Sequence, residues 1–372
     1  MNKTTLLLIV STTCIFFSGL LMVFNTTSAE VLSRSLEVST HFALVKQLIF
    51  GLIAIVIGFV VWQIGYHKII QSSPYLLLGC TILLLLVFVP KIGQTINGAK
   101  RWIGFSGLGL QPSEIAKFII PMYFISEITK RKKNLDFNAF LMVILISLVP
   151  ITLILIEPDT GTTVIILTTL VVTFFLTKIR FFYWATPLLV IICLATFAAY
   201  NMNHVRNRIT IYLHPEKDLK GRGHQPYQAK IAVGSGKVLG RGLGESLQKL
   251  DYLPEARSDY IAAIYAEEVG FLGIAILFSL YMCVTYSGFS IAMKSKDKKG
   301  FYLACILTFL ISFQAFLNLG VVSGLLPSKG VTLPFFSQGG TSLMVNIIAI
   351  FLLLSIEKDK KVKKCTKKRS KL

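Results

Sequence analysis

Charged side chains are scarce in this sequence, 15% of residues against 54% hydrophobic. With a mean hydropathy of +0.69, the chain falls outside the range of soluble domains. Cysteine is sparse as well. Of the six present, Cys14, Cys80, Cys193, Cys283 and Cys305 sit inside apolar runs and Cys365 in a basic tail, so neither a disulfide framework nor a metal-ligand spacing can be read. A nucleotide loop is missing too, because Gly234-Ser-Gly-Lys-Val238 lacks the Gly-x-x-x-x-Gly-Lys-Ser/Thr spacing and its hydroxyl. Acidic residues are in the minority, 18 against 38 Lys and Arg. The resulting formal charge of +20 would suit a nucleic-acid partner only if it were gathered on one soluble face, and it is instead dealt out between membrane segments.

What the chain does have is long apolar runs. Runs of about 20 residues, enough to cross ~30 Å of hydrocarbon, occur ten times, at 5–24, 43–63, 73–90, 112–128, 138–156, 160–177, 181–200, 259–288, 300–322 and 341–356. The sequence therefore predicts an all-α polytopic membrane protein, one domain over 1–372, with ten transmembrane helices and both termini on the same side. With the N-terminus inside, more than half of the 38 basic residues fall on inner segments, among them Lys130-Arg-Lys-Lys133 and the tail 357–372. Most of the others lie in a long outer loop that the positive-inside rule exempts. The termini are thus expected to be cytoplasmic. The tail reads as a topology anchor or a contact with anionic membrane lipids, and no nucleic acid is expected. Lys3 before an apolar run resembles a signal peptide, but the run is a full span long without a clear Ala-x-Ala site, so it is read as the first span.

Three outer segments stand out. Lys91 to Ser113 is rich in glycine and turn formers. The large extracytoplasmic loop, about 201–258, is long enough to imply that it binds or covers something. Its glycines are expected to turn the backbone tightly against the membrane face, and Tyr227 to Val233 to form a short interfacial helix. The third segment, Ser323 to Ser342, is too apolar for a free loop and too rich in Pro and Gly for a helix. Unpaired backbone at membrane depth is tolerated only inside protein or along a wet cavity, so this segment is expected to fold back and line a pocket. Lys329, Ser337, Gly339 and Gly340 are its candidate substrate contacts.

Charge at the ends of spans carries the functional signal, because an ionised side chain at mid-bilayer costs about 2.5–3.5 kcal/mol on insertion scales. On a helix beginning near Ser258, Asp259, Ala263, Ala266 and Gly270 share one face, which places Asp259 at the head of a small-residue stripe near the outer boundary. It reads equally as an N-cap. Glu267 and Glu268 read as partners of basic residues in the bundle. Glu114 and Lys117 are i,i+3 neighbours after Pro112; an acidic first turn explains Glu114, whereas Lys117 inside the boundary needs a partner or an anionic ligand. Arg101 and Trp102 fit either an interfacial anchor or a guanidinium for phosphate beside a flat ring for a sugar or prenyl chain. Asp159 is an N-cap candidate that adds a further carboxylate at the same outer level.

These residues carry a resemblance. Asn97-Gly-Ala-Lys-Arg-Trp-Ile103, Gln111-Pro-Ser-Glu-Ile-Ala-Lys117, Glu157-Pro-Asp-Thr-Gly161, Leu253-Pro-Glu-Ala-Arg-Ser-Asp259, Glu267-Glu-Val-Gly270 and Pro334-Phe-Phe-Ser-Gln-Gly-Gly340, in this order, resemble the SEDS (shape, elongation, division and sporulation) family of bacterial cell-wall polymerases, also called the RodA/FtsW family. The stretch 327–334 and the lead-in 253–256 look more like the FtsW division branch than the RodA elongation branch. Arg257, Ser258, Tyr260 and Gln338 depart from the common His, Thr, Phe and Tyr.

The resemblance implies a peptidoglycan glycosyltransferase that polymerises lipid II, a polyprenyl-pyrophosphate-linked disaccharide-pentapeptide, at the outer face of the cytoplasmic (inner) membrane, at the division septum. It implies Asp259 as the essential acid, read here as catalytic base with its proton affinity raised by partial desolvation; Arg101 and Lys117 are the candidates for phosphate contact or for holding the site, with Glu114 and Asp159 as their orienting partners. It admits a divalent cation, Mg2+ or Mn2+, on the pyrophosphate, although no ligand cluster dictates one. The implied partners are a class B penicillin-binding protein, which is a transpeptidase, and other divisome proteins. A lipid II flippase and a non-catalytic scaffold are the competing readings. Intramembrane charges that cluster at the outer level, without inverted repeats, favour the polymerase.

Overall fold

The computed structural model describes residues 2–33, 39–96, 99–105, 108–131, 136–187, 189, 212, 218, 221, 223–250, 253, 256–328 and 330–369. Most of them are helical. The helices are α1 (Lys3–Ser33), α2 (Phe42–Ile64), α3 (Tyr66–Gln71), α4 (Ser73–Leu86), α5 (Pro112–Lys130), α6 (Phe137–Ile156), α7 (Thr160–Leu176), α8 (His224–Ser235), α9 (Ile261–Met293), α10 (Lys298–Val322) and α11 (Gly340–Arg369). Among the described residues, α1, α2, α6, α9, α10 and the first part of α11 are long and apolar enough to span a bilayer, and α4 and α7 are shorter apolar helices. The predicted run at 181–200 is described only at 181–187, which is helical, and at 189; the remainder of that expected span lies outside the described residues. The predicted fourth span is α5, whose Glu114, Lys117, Glu127 and Lys130 lower its hydropathy.

The helices bury one side and leave apolar side chains outward. Leu52, Val56, Phe59 and Val60 of α2 are exposed, the pattern of a helix whose outer face meets acyl chains rather than water. Several hydroxyls inside the helices are satisfied locally: Thr169, Thr173 and Thr308 each donate to the carbonyl four residues back at 2.6–2.7 Å, which makes a hydroxyl tolerable at membrane depth. The core falls into two clusters. One joins α1, α2, α9, α10, α11 and the segment 331–336, and the other joins α4, α5, α6 and α7 with Trp184. Ile115 of α5 packs against both.

The turn-rich segment after α4 proves to be a small antiparallel sheet, β1 (Gly93–Ile96), β2 (Ala99–Phe105) and β3 (Leu108–Leu110), in the order β1-β2-β3. Its register pairs Gln94 with Trp102 and Ile103 with Leu110, with a bulge after Gln94. Strands of three to seven residues interrupted by glycine carry too little alternation to be read as strands in sequence. The span predicted at 73–90 ends as helix at Leu86 and turns through 87–92 toward this sheet. At the other end of the chain, α11 runs as one helix from the span into the basic tail.

Gly270 interrupts α9 with φ 73° and ψ −167°, a conformation essentially closed to residues with a side chain. The break frees backbone groups, and the glycine-rich loop supplies their partners. Arg241 and Gly242 donate to the carbonyls of Glu267 and Glu268 at 3.0 Å each, and Phe271 and Leu272 donate to those of Lys237 and Val238 at 3.0 and 3.2 Å. The loop thus turns against α9 rather than against the membrane face, because a broken helix presents the unsatisfied groups that a lipid surface cannot pair. A Cβ on Gly270 would fall 2.3 Å from the Gly240 nitrogen, and one on Gly240 2.1 Å from the Glu268 carbonyl oxygen. Helix α8 forms where a short interfacial helix was expected and packs on α9 and α10 through Ala229 and Ala232. Substituting Gly270→Ala is expected to cost at least ~1–3 kcal/mol for the backbone conformation alone, seen as a lower unfolding temperature in detergent; an unchanged unfolding temperature would contradict this account of the joint.

Candidate active site at the outer end of the bundle

Helix α9 starts at Ile261, with Tyr260 in the N-cap position. Asp259 therefore precedes the helix, and the predicted stripe running from it to Gly270 is not continuous, since the helix changes direction at Gly270. Asp259 is partly buried. Its carbonyl accepts from the Asn318 side-chain amide at 2.8 Å, and the same amide donates to the Val331 carbonyl at 2.7 Å. One buried side chain of α10 thus fastens the Asp259 turn to the segment 330–339. A Cβ built on Gly330 would stand 2.9 Å from Asp259 Oδ2, so glycine there lets the carboxylate lie against the backbone. Tyr260 reaches Ser328 at 2.8 Å, and the Gln338 N–H donates to the Arg257 carbonyl at 3.0 Å. Arg257 itself is 43% exposed and pairs with Glu30 of α1 at 3.0 Å.

The segment 330–339 folds back into the bundle as the sequence predicted, with Leu333, Phe335, Phe336 and Ser337 all buried. Its carbonyls are met by side chains from three helices. Gln314 Nε2 donates to Thr332 at 2.9 Å, Tyr281 Oη to Pro334 at 2.5 Å, and Gln47 Nε2 to Ser337 at 3.0 Å. Ser337 Oγ accepts from the Leu333 N–H at 2.8 Å. Ser337 is thereby a fastener of the segment, 3% exposed. Gly339 donates to Gln47 Oε1 at 3.4 Å, and a Cβ on Gly340 would lie 2.4 Å from the Phe50 ring; both serve close packing here. Lys329 lies outside the described residues.

Lys117 is 0% exposed. Its ammonium donates to Glu114 Oε2 at 2.6 Å and to Gln314 Oε1 at 2.7 Å. Its charge is buried in the wall, where it ties α5 through Gln314 to the folded-back segment. Glu114 is thus the ion-pair partner of Lys117. Asp159 caps α7 through Thr162 N at 3.1 Å and also accepts from Ser113 Oγ at 3.0 Å and Gln111 Nε2 at 3.3 Å. Arg101 Nε and Nη2 donate to the carbonyls of Glu157 and Pro158 at 3.0 and 2.6 Å, which docks β2 on the joint between α6 and α7. The neighbouring Trp102 is partly buried, with its ring beside Gly109 of β3.

Glu267 and Glu268, both 1% exposed, are paired as the sequence reading allowed. Glu267 accepts from Ser246 Oγ at 2.5 Å with Arg241 at 3.7 Å, and Glu268 accepts from Lys249 at 2.9 Å and from Asn25 at 2.6 Å. They lock the outer loop onto α1 and α9. Among the described residues no group of three or more His, Cys, Asp or Glu side chains converges on a point. These residues alone thus form no cage for a divalent cation, which needs several oxygen ligands.

Sequence reasoning missed Gln47, Gln314 and Asn318. Each is an amide inside an otherwise apolar run, 1–2% exposed, and that cost at membrane depth is itself the signal of a role.

Two predictions follow from the buried charges. Lys117→Met strands Glu114 and is expected to lower stability by about 3–5 kcal/mol, while Lys117→Met with Glu114→Gln recovers part of it; unfolding in detergent reads both. Glu157, between α6 and α7, has both carboxyl oxygens buried without a hydrogen-bond partner among the described residues. Burial first, then Asp159, pushes its pKa from 4.5 to about 8, with Arg101 offsetting part of the rise. The folded state keeps this proton where the unfolded chain has lost it, so stability falls as pH rises from about 4.5 to 8. Glu157→Gln is expected to flatten that part of the stability profile.

Comparison with known proteins places this geometry. The family model for cell cycle proteins of the FtsW, RodA and SpoVE type matches residues 4–362. The probable peptidoglycan glycosyltransferase FtsW of Geobacter sp. (strain M18) is 36% identical over 361 residues, 95% of this chain and 96% of that protein. Stage V sporulation protein E of Bacillus subtilis is 33% identical over 357 residues, 95% and 96% of the two chains. Among solved structures, a chain of a peptidoglycan synthase complex that coordinates polymerization and crosslinking superposes with a TM-score of 0.72 at 23% identity, over 93% of this chain and 97% of that one. The rod shape determining protein RodA of Thermus thermophilus gives 0.68 at 22% identity over 95% and 96%. The chain belongs to the FtsW/RodA/SpoVE family.

Proposed function

We propose that the chain is a peptidoglycan glycosyltransferase that polymerises lipid II into glycan strands at the outer face of the bacterial cytoplasmic membrane. The observation that carries this reading is the setting of Asp259: a partly buried carboxylate at the outer end of α9, its backbone clamped by Asn318 against the folded-back segment beside Gly330. Relatives along nearly the whole chain bear the glycosyltransferase name.

In the proposed reaction the 4-hydroxyl of one saccharide attacks the anomeric carbon of another. The new C–O bond forms as the bond from that carbon to the pyrophosphate oxygen breaks; the electron pair leaves with the polyprenyl pyrophosphate, and the hydroxyl proton passes to the Asp259 carboxylate. Clamping the Asp259 backbone fixes the base before the substrate arrives, which lowers the reorganisation needed at the transition state. The leaving phosphates call for positive charge. With Lys117 sealed in the wall, Arg257, two residues from Asp259 and 43% exposed, is the better placed donor.

Service at the division septum, beside a class B penicillin-binding protein and other divisome proteins, belongs to the same proposal. Its supports are the FtsW-type relatives and the synthase complex of the structural relative. The test is polymerisation of purified lipid II by the full chain, with and without that partner. Asp259→Asn is expected to lower the rate ~10²–10⁴-fold while leaving the unfolding temperature near that of the wild type. Strand synthesis unaffected by the change would remove the assigned base. A flippase would instead translocate intact lipid II and yield no strand in the same assay.

A further inference from the structure

At the opposite end of the bundle a cavity of about 330 Å3 opens between the first turns of α1, the last turns of α2 and the spanning part of α11. The positive-inside rule assigns this end, which carries Lys3, Lys68 and the tail, to the cytoplasm. Ile9, Phe59 and Leu354 form apolar wall, and Thr5, Trp62 and Lys358 add polar atoms. Phe59 is exposed, on the same outward face of α2 as Leu52 and Val56, so the apolar wall is continuous with the surface that meets lipid tails.

Three features give the cavity a headgroup end. Lys358 is exposed and its ammonium lies 3.9 Å from the centroid of the Trp62 ring, a cation held at the depth where tryptophan marks the interface. Thr5 is 7% exposed, and its hydroxyl has no hydrogen-bond partner among the described residues. A buried, unspent donor in a cavity wall is a group waiting for an acceptor. Glu357, the acid in the lining, is 3% exposed and accepts from the Asn2 side-chain amide. Lys358 also opens the run of Lys and Arg that ends at Lys371, and such a run is drawn to anionic lipid on the inner leaflet.

We infer that this cavity binds one anionic phospholipid of the inner leaflet, with an acyl chain against Ile9, Phe59 and Leu354 and the phosphate between Lys358 and Thr5. The site stands apart from the outer active site and does not depend on the proposed reaction.

The test is native mass spectrometry of the full chain released from nanodiscs of phosphatidylglycerol and phosphatidylethanolamine in equal amounts. Wild type is expected to retain one phosphatidylglycerol in preference to phosphatidylethanolamine. Lys358→Ala is expected to lower that retention about fivefold, the equivalent of ~1 kcal/mol, and Ile9→Trp, which sets an indole across the apolar wall where the acyl chain would lie, to abolish it. If Ile9→Trp does not fold, Thr5→Val takes its place and is expected to weaken the preference. Replacing the lysines after residue 359 by glutamine leaves retention in place if the cavity is the site. Equal retention of both lipids, retention surviving Ile9→Trp or unchanged in Lys358→Ala and Thr5→Val, or loss on neutralising the tail alone would each overturn the inference.

Discussion

The structure depends on pairing every backbone group that leaves helical geometry inside the bundle. In a bilayer no water is at hand for an orphaned carbonyl or N–H, and each one costs several kcal/mol. The segment 330–339 is the severest case, since it runs without helix between buried helices. Its carbonyls at Val331, Thr332, Pro334 and Ser337 are met by Asn318, Gln314, Tyr281 and Gln47. Polar residues in apolar spans are thus concentrated where irregular backbone needs them.

The same constraint explains the break at Gly270. A helix opened near the outer boundary exposes two carbonyls and two N–H groups, and the glycine-rich loop closes over them with four backbone hydrogen bonds. Glycine on both sides of the joint is a requirement of distance, because any Cβ there would overlap backbone atoms. Buried Glu267 and Glu268 then secure the loop through Ser246, Lys249 and Asn25. In this way the loop is built into α9 at its break and into α1.

Charge follows the same logic. Lys117 is tolerable because Glu114 and Gln314 surround it, and in exchange it couples α5 to the folded-back segment. An ion pair of this kind adds little net stability but fixes one arrangement of its neighbours. Asn318 performs the corresponding service for the turn at Asp259 with a neutral amide. Positioning of the Asp259 backbone is therefore distributed over α10, the folded-back segment and the turn before α9.

Much of this was legible in the residues. Long apolar runs gave the helical membrane class, because crossing ~30 Å of hydrocarbon fixes both length and composition; the Pro- and Gly-rich stretch after Ser323 announced buried irregular backbone, and Asp159 before Thr160 announced a cap. The short strands of 93–110 were not legible, since alternation needs more residues than they contain. Nor were the helix break at Gly270, the sealing of Lys117 or the amide clamp of Asn318, because each depends on a partner dozens or hundreds of residues away. Composition and local spacing determined the membrane class, the outer level of the charges and the candidate carboxylate. Tertiary packing alone decided which charge is walled in, which amide holds which carbonyl and which backbone may leave the helix, since those choices are made by distances between segments that sequence order does not contain.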